Sequence, residues 1–311
     1  MKPELVLTAP IYAPTQRHLE AHYTVHRLWE ASDQGAKLAE LADRIDTVVT
    51  PGGRGMNAAE MRALPRLKLI ACFAVGVDAV DVAAATERGI KVTNTPDVLT
   101  EDVADLALAL ILATIRRVAV GDRHVRSGAW LNGAMPLTQS LRGKTLGIVG
   151  MGRIGQAIAK RGEAFGLSIA YQGPHDKHLA YPYHADPVAL ATACDILVAA
   201  CPGGDATRGI IGRAVIDALG PEGIFVNIAR GSVVDEPALV DALVEGRLGG
   251  AGLDVFVDEP RVPEALLALD QVVLQPHVGS ASHATRTAMG QLVIDNVAAW
   301  FAKQPLPTPV N

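Results

Sequence analysis

The sequence predicts an α/β protein made of two doubly wound parallel-sheet domains. Short apolar strands alternate with helical stretches through the first hundred residues. A polar, glycine-containing stretch then interrupts the pattern, and a second strand–helix series follows it. No internal repeat and no low-complexity tract competes with this reading. A chain of 311 residues is long enough for two ordinary cores, and 49% apolar with 20% charged residues is a globular composition.

The first set of strands is read at Leu5-Val6-Leu7, Tyr23 to Leu28, Asp46 to Thr50, Leu67 to Phe73 and Lys91 to Thr95. Helix formers and turn residues such as Gly35, Pro65 and Gly89 separate them, so the strands run parallel with both faces covered. Asn94-Thr95-Pro96 closes the set. Thr100-Glu101-Asp102 then opens a long apolar helix, with Thr100 offering a capping hydroxyl. The polar stretch runs from Ser127 to Gln139. Strands of the second series are read from Lys144 to Val149, Ser168 to Tyr171, Ile196 to Ala200, Ile224 to Ile228, Gly249 to Asp254 and Gln271 to Leu274. A helix from Ala284 to Ala302 and a proline-rich tail end the chain.

Bulk properties exclude several classes of function. A net charge of -5 gives no basic footprint for nucleic acid, and 4% aromatic residues provide few stacking platforms. The longest apolar run, Leu106 to Ile115, is shorter than the roughly 20 residues that cross a bilayer, so it reads as a buried helix. The N-terminus reads as the start of a strand rather than a signal peptide, and a cytoplasmic location is expected. Cys72, Cys194 and Cys201 lack metal-type spacing and are expected to pack in the core of a protein from a reducing compartment. No metal site is expected.

Gly150-Met-Gly152-Arg153-Ile154-Gly155 is a G-x-G-x-x-G that leaves an apolar strand and enters a helical stretch from Gln156 to Phe165. That order suits a dinucleotide. Gly150 permits the tight turn, Gly152 lets backbone approach a pyrophosphate, and Gly155 lets helix and strand pack closely. The bland alternative is a glycine-rich turn in an ordinary α/β unit. After the next strand, where an acid would bind a ribose diol, the chain has Gln172-Gly173-Pro174, and no acid occurs before Asp176. Missing repulsion, with His175, Lys177 and His178 nearby, favours NADPH over NADH, although no arginine stands there to clamp a phosphate.

Three ionisable residues follow strands of the second series: Arg230, Glu259 and His277. That edge of an open sheet is where ligands bind. Singly, each has an ordinary explanation as a surface salt bridge, a solvated turn or a loop residue. Their joint placement beside a dinucleotide-type loop makes them candidate catalytic residues.

With those motifs in place, the sequence resembles the D-isomer-specific 2-hydroxyacid dehydrogenase family nearly end to end. Val75-Gly-Val-Asp78, Asn94-Thr-Pro96, the Gly150–Gly155 loop, Asn227-Ile-Ala-Arg-Gly231, Val234-Asp-Glu236, Gly250 to Phe256, Asp258-Glu-Pro260 and Pro276-His-Val-Gly-Ser280 carry the resemblance. It is most similar to the glyoxylate/hydroxypyruvate reductase branch, with 2-ketogluconate reductases as near relatives. The resemblance implies NAD(P)H-dependent reduction of a small 2-keto acid to the D-2-hydroxy acid. Arg230 would bind the substrate carboxylate and polarise its carbonyl. His277 would donate the proton, and Glu259 would orient His277 and favour its imidazolium. Formate dehydrogenases of the family carry Gln where this chain has Glu259, which disfavours a formate enzyme.

The resemblance further implies that backbone N–H groups of Val75 and Gly76 hold the carboxylate. Asp254 would accept from a nicotinamide carboxamide, and Pro202, Ile228, Ala229 and Gly279 would line the cofactor site. A flavodoxin-like substrate domain would span residues 1–98 and 284–311, and a Rossmann dinucleotide-binding domain residues 99–283. The long helix and the arm to Gln139 resemble a dimerisation region, which makes a homodimer the expected assembly. Trp130 is either an arm residue that reaches a partner's active site or a buried core tryptophan. Two departures stand out: Gly203-Gly204-Asp205-Ala206 replaces the family's Leu-Thr-Pro-Glu, and Arg54 is either a contact for a polar substrate tail or a surface residue. Phosphoglycerate dehydrogenase is a rival within the family, weakened because no regulatory domain follows residue 311. A non-catalytic nicotinamide-sensing corepressor is the rival outside catalysis.

Overall fold

The computed structural model describes residues 2–311, which divide into two compact units, residues 2–99 with 280–311 and residues 100–279. The first unit begins with β1 (Glu4–Leu7), α1 (Ala13–His22), β2 (Thr24–Arg27), α2 (Gln34–Glu40), β3 (Thr47–Pro51), α3 (Ala58–Ala63), β4 (Leu69–Phe73), α4 (Val82–Glu87) and β5 (Lys91–Thr93). Its five strands are all parallel in the order β2-β1-β3-β4-β5, the flavodoxin-like order. The helices start where side chains can cap them: Asp33, Asn57 and Asp81 each accept an N–H from the first turn of α2, α3 and α4. At α3 the exchange is reciprocal, since Glu60 takes the Asn57 N–H.

The second unit holds α5 (Thr100–Ile115), α6 (Val118–Arg126), β6 (Thr145–Val149), α7 (Arg153–Ala164), β7 (Ser168–Gln172), β8 (Tyr183–His184), α8 (Pro187–Thr192), β9 (Ile196–Ala199), α9 (Arg213–Leu219), β10 (Ile224–Asn227), α10 (Glu236–Val244), β11 (Gly250–Leu253), α11 (Glu264–Leu267) and β12 (Val272–Leu274). Its sheet is parallel in the order β12-β11-β10-β9-β6-β7-β8, so β6 lies at the switch point between β7 and β9. Strands β6, β9 and β10 are buried on both faces apart from the half-buried Thr145, which explains their continuous apolar character. Burying a side chain such as Phe225, fully enclosed here, contributes roughly 1.5–3 kcal/mol.

Helix α5 carries the apolar run, with Val103, Ala107, Leu108, Leu110 and Ile111 buried. It starts at Thr100 itself, so Thr100 is its first residue rather than a preceding cap. The two-residue strand β8 has no counterpart in the sequence reading, because an edge pairing this short leaves no periodicity to detect. Helix α12 (His283–Phe301) returns to the first unit. Its buried Asn296 donates to Leu292 O and Thr308 Oγ1 and accepts the Thr308 N–H, which pins the proline-rich tail. Asn311 then accepts the Val92 N–H, so the tail extends the β5 edge. Among the described residues no helix is long and apolar enough to cross a membrane, and no cluster of candidate metal ligands occurs.

Candidate active site

The glycine loop occupies the C-terminal end of β6, at the switch point of the second sheet. Gly150 has φ +98°, and a Cβ there would lie 2.5 Å from Cys201 N. A Cβ on Gly155 would lie 2.2 Å from Gly150 O, so these two glycines are required by the protein's own packing. Gly152 differs: a Cβ there would meet nothing within 4 Å. No side chain caps α7, whose first residues are Arg153, Ile154 and Gly155. An uncapped helix start above an open glycine is a seat for a phosphate group, so these residues fit a dinucleotide.

The neighbouring strand end agrees in position. Gln172 is buried at the end of β7, its Nε2 lying 3.4 Å from both the Gly173 and Ala185 carbonyls, while Pro174 is exposed. Asp176 is committed locally, accepting from Tyr171 Oη at 2.5 Å and from the His178 N–H at 2.8 Å. Pro202 follows β9, and the buried Ile228 and Ala229 follow β10.

Arg230, Glu259 and His277 follow the adjacent strands β10, β11 and β12. His277 Nδ1 pairs with Glu259 Oε2 at 2.7 Å, and Glu259 Oε1 accepts the Phe256 N–H at 3.1 Å. Burial works to raise the Glu259 carboxyl. The His277 hydrogen bond and charge, the Phe256 N–H and the Arg230 charge outweigh it and hold Glu259 below its ordinary value. Arg230 is half-buried, with Nη1 donating to Ala229 O at 2.7 Å, while Asn227 Nδ2 donates to Arg230 O. The next residue, Gly231, has no room for a side chain: a Cβ would lie 2.1 Å from Phe256 C. That close approach brings the Arg230 turn against the β11 loop that carries Glu259.

His277 itself has φ +55°, a left-handed conformation that a non-glycine residue adopts only when its surroundings enforce it. Asp254 does so. Its carbonyl accepts the His277 N–H at 2.9 Å, and its carboxylate accepts the Val278 N–H at 2.7 Å and the Gly279 N–H at 2.9 Å. This positioning role was absent from the sequence reading, which assigned Asp254 only to a cofactor. No motif announces it, because it depends on the β11–β12 pairing. Next to the pair, a cavity of about 270 Å³ is walled by Phe256, Pro260, Val262, Leu267 and Leu274, with Glu259 and His277 on one side.

Other candidates fall elsewhere. Val75 and Gly76 lie in the first unit, after β4. Arg54 pairs with Glu60 and reaches Gln34, so its charge is already met by the protein. Trp130 is 65% exposed, which removes the buried-core alternative. A larger cavity of about 660 Å³ in the first unit is lined by Glu20, His26, Arg27, Glu30 and Lys37; Arg27 pairs with Glu20 and Glu30 there, and no element of the candidate site borders it.

A switch-point glycine loop with an ionisable trio on one sheet edge defines an NAD(P)-dependent oxidoreductase. The domain model described as D-isomer specific 2-hydroxyacid dehydrogenase, NAD binding domain, matches residues 108–279, and the chain belongs to that family. It is 49% identical over 307 residues to hydroxyphenylpyruvate reductase of Plectranthus scutellarioides, covering 98% of each chain. A glyoxylate/hydroxypyruvate reductase of Arabidopsis thaliana is 48% identical, again covering 98% of both. Among solved structures, the NADPH-dependent glyoxylate/hydroxypyruvate reductase of Sinorhizobium meliloti in complex with NADP and malonate is 44% identical. It superposes with a TM-score of 0.94 over 100% of this chain and 97% of that one.

Proposed function

We propose that this protein reduces a short 2-keto acid of the glyoxylate/hydroxypyruvate class to the D-2-hydroxy acid, with NADPH preferred. The observation that carries the reading is the 2.7 Å His277–Glu259 pair at the strand end beside Arg230. Residues 1–98 with 284–311 would form the substrate domain and residues 99–283 the dinucleotide domain. Gly150, Gly152, Arg153, Ile154 and Gly155 would hold the pyrophosphate, with Gln172, Gly173, Pro174, Pro202, Ile228, Ala229, Asp254 and Gly279 around the rest of the cofactor. When bound, the reduced nicotinamide supplies the hydride.

The chain's own residues do the remaining work. As charge develops on the carbonyl oxygen, protonated His277 donates from Nε2, while Glu259 on Nδ1 stabilises the cation that makes the donation. Arg230 binds the carboxylate and polarises the carbonyl, and the Val75 and Gly76 N–H groups hold the carboxylate from the substrate domain.

The preference for NADPH is supported by the neutral side chain of Gln172 at the end of β7. Gln172 carries no charge to repel a 2'-phosphate, and His175, Lys177 and His178 are exposed nearby. A cytoplasmic homodimer is the assembly we infer, supported by the exposed apolar arm residues Trp130, Leu131 and Leu137. Steady-state reduction of glyoxylate, hydroxypyruvate, pyruvate and 2-ketogluconate with each nicotinamide, beside His277→Ala, tests the proposal. Turnover that depends on His277 and favours NADPH supports it. No turnover with any pair, alongside tight nicotinamide binding, overturns it in favour of a sensor.

A further inference from the structure

The tail after α12 contains Pro307-Thr308-Pro309, so Thr308 stands between two prolines. A proline has no N–H, fixes its own φ near about −65°, and holds the residue before it extended. This stretch therefore presents a single N–H, that of Thr308, from a backbone with little freedom left to lose. The Thr308 N–H goes to Oδ1 of the buried Asn296 in α12 at 3.2 Å. Asn296 Nδ2 then donates to Thr308 Oγ1 at 2.8 Å, which leaves the hydroxyl proton to point elsewhere. It points to the Asn94 carbonyl, 2.6 Å away, and the Asn94 N–H donates back to Thr308 O at 3.3 Å. One tail residue thus clamps both backbone groups of Asn94.

Asn94 and Thr95 in turn hold the loop that follows β4. Asn94 Nδ2 donates to the Val75 carbonyl at 2.8 Å, and the Thr95 N–H donates to the Ala74 carbonyl at 2.8 Å. In a trans peptide the carbonyl and the N–H point in opposite directions. Fixing both carbonyls against residues 94 and 95 therefore aims the Val75 and Gly76 N–H groups away from that segment, together. An extended strand would turn successive N–H groups to opposite sides. The direction of these two donors is set by a continuous relay within the first unit, from Asn296 through Thr308 and Asn94 to Val75.

We propose that Thr308 is a positioning residue for the keto-acid site: acting through Asn94, it fixes the direction of the Val75 and Gly76 N–H groups and so sets KM for the acid. The inference rests on the reductase reading for what the loop meets, but the relay itself is read without turnover.

The test uses the full chain as wild type, Thr308→Val, Thr308→Ser and Asn94→Ala. KM and kcat for glyoxylate and KM for NADPH are measured, with hydrogen exchange across residues 92–95 followed by mass spectrometry. Thr308→Val keeps the branched shape and removes the hydroxyl. It is expected to raise KM for glyoxylate about fivefold, with kcat within about twofold and the NADPH KM unchanged. Exchange across residues 92–95 should quicken while β1 and β3 keep wild-type protection. Thr308→Ser, which restores the hydroxyl, should return KM to within about twofold of wild type. Asn94→Ala should raise KM about tenfold, and adding Thr308→Val to it should raise KM no further, because both act through one chain of bonds. An unchanged KM in folded Thr308→Val, no recovery in Thr308→Ser, or equal losses in kcat and NADPH affinity overturns the proposal and leaves a tail that only stabilises the fold. Should Thr308→Val not fold, Asn94→Ala leaves the tail intact and reads the last link alone; an unchanged KM there overturns the proposal. If wild type turns over no keto acid, the reductase reading falls. Quicker exchange across residues 92–95 in Thr308→Val then retains the relay, and unchanged exchange removes it as well.

Discussion

The carboxylate of Asp254 takes the buried N–H of Gly279 at 2.9 Å and thereby holds the turn on which His277 sits in a left-handed conformation. The neighbouring Val278 N–H lands on the other carboxylate oxygen. Asp254→Ala would leave both donors unmet, costing about 1–3 kcal/mol for the buried one. We expect a lower urea midpoint and a reduced kcat, with Asp254→Asn, which keeps one acceptor, between the two. A kcat unchanged in folded Asp254→Ala would show that His277 is oriented without it.

Glu259 is held ionised by His277, the Phe256 N–H and Arg230 against the opposing effect of burial. Its folded pKa is depressed, so its contribution to stability is present above the unfolded value near ~4.3. That contribution is lost as pH falls through the lower folded value. The stability gap between wild type and Glu259→Gln should therefore narrow on acidification below about pH 4.3. At neutral pH the variant should lose about ten- to a hundredfold in kcat/KM, part of what acid–base catalysis supplies. Urea titrations at two pH values and a rate measurement check both statements.

Two glycines of the loop separate folding from ligand binding. Gly155→Ala would push a methyl group against Gly150 O, and overpacking of this kind costs about 1–3 kcal/mol. Gly152→Ala meets nothing in the protein, so its melting temperature should match wild type while the KM for NADPH rises at least about tenfold. Equal KM values in wild type and Gly152→Ala would show that no phosphate sits over this loop.

Burial pushes the thiol of Cys194 up to about 12 and that of Cys201 up to about 11. A thiol is nucleophilic as thiolate, and both groups stay protonated through neutral pH. Iodoacetamide at pH 8 should leave both unlabelled in the folded protein and label them after denaturation, as read by intact mass. Rapid labelling in the native state would contradict the packing around β6 and β9.

Much of this molecule was legible in the sequence because it is local. Period, apolar runs and turn residues mark eleven of the strands, since a strand buried on both faces must be apolar along its whole length. The glycine loop was legible for a similar reason: the positive φ of Gly150 and the close approaches at Gly150 and Gly155 exclude a side chain at those two positions. Arg230, Glu259 and His277 could be named from their place after strands, and adjacency of β10, β11 and β12 turned that order into proximity.

Other features were decided only by tertiary structure. β8 exists because two residues find the exposed edge of β7, and nothing in Tyr183–His184 alone requires it. Arg54 looked available to a ligand until Glu60, which caps α3, proved to be its partner. Asp254 holds three consecutive N–H groups of a segment more than twenty residues further along the chain. Composition and periodicity report what a residue is and how it repeats. Whether a charge is met or unmet depends on which distant segments the sheets bring together, and only the folded chain decides that.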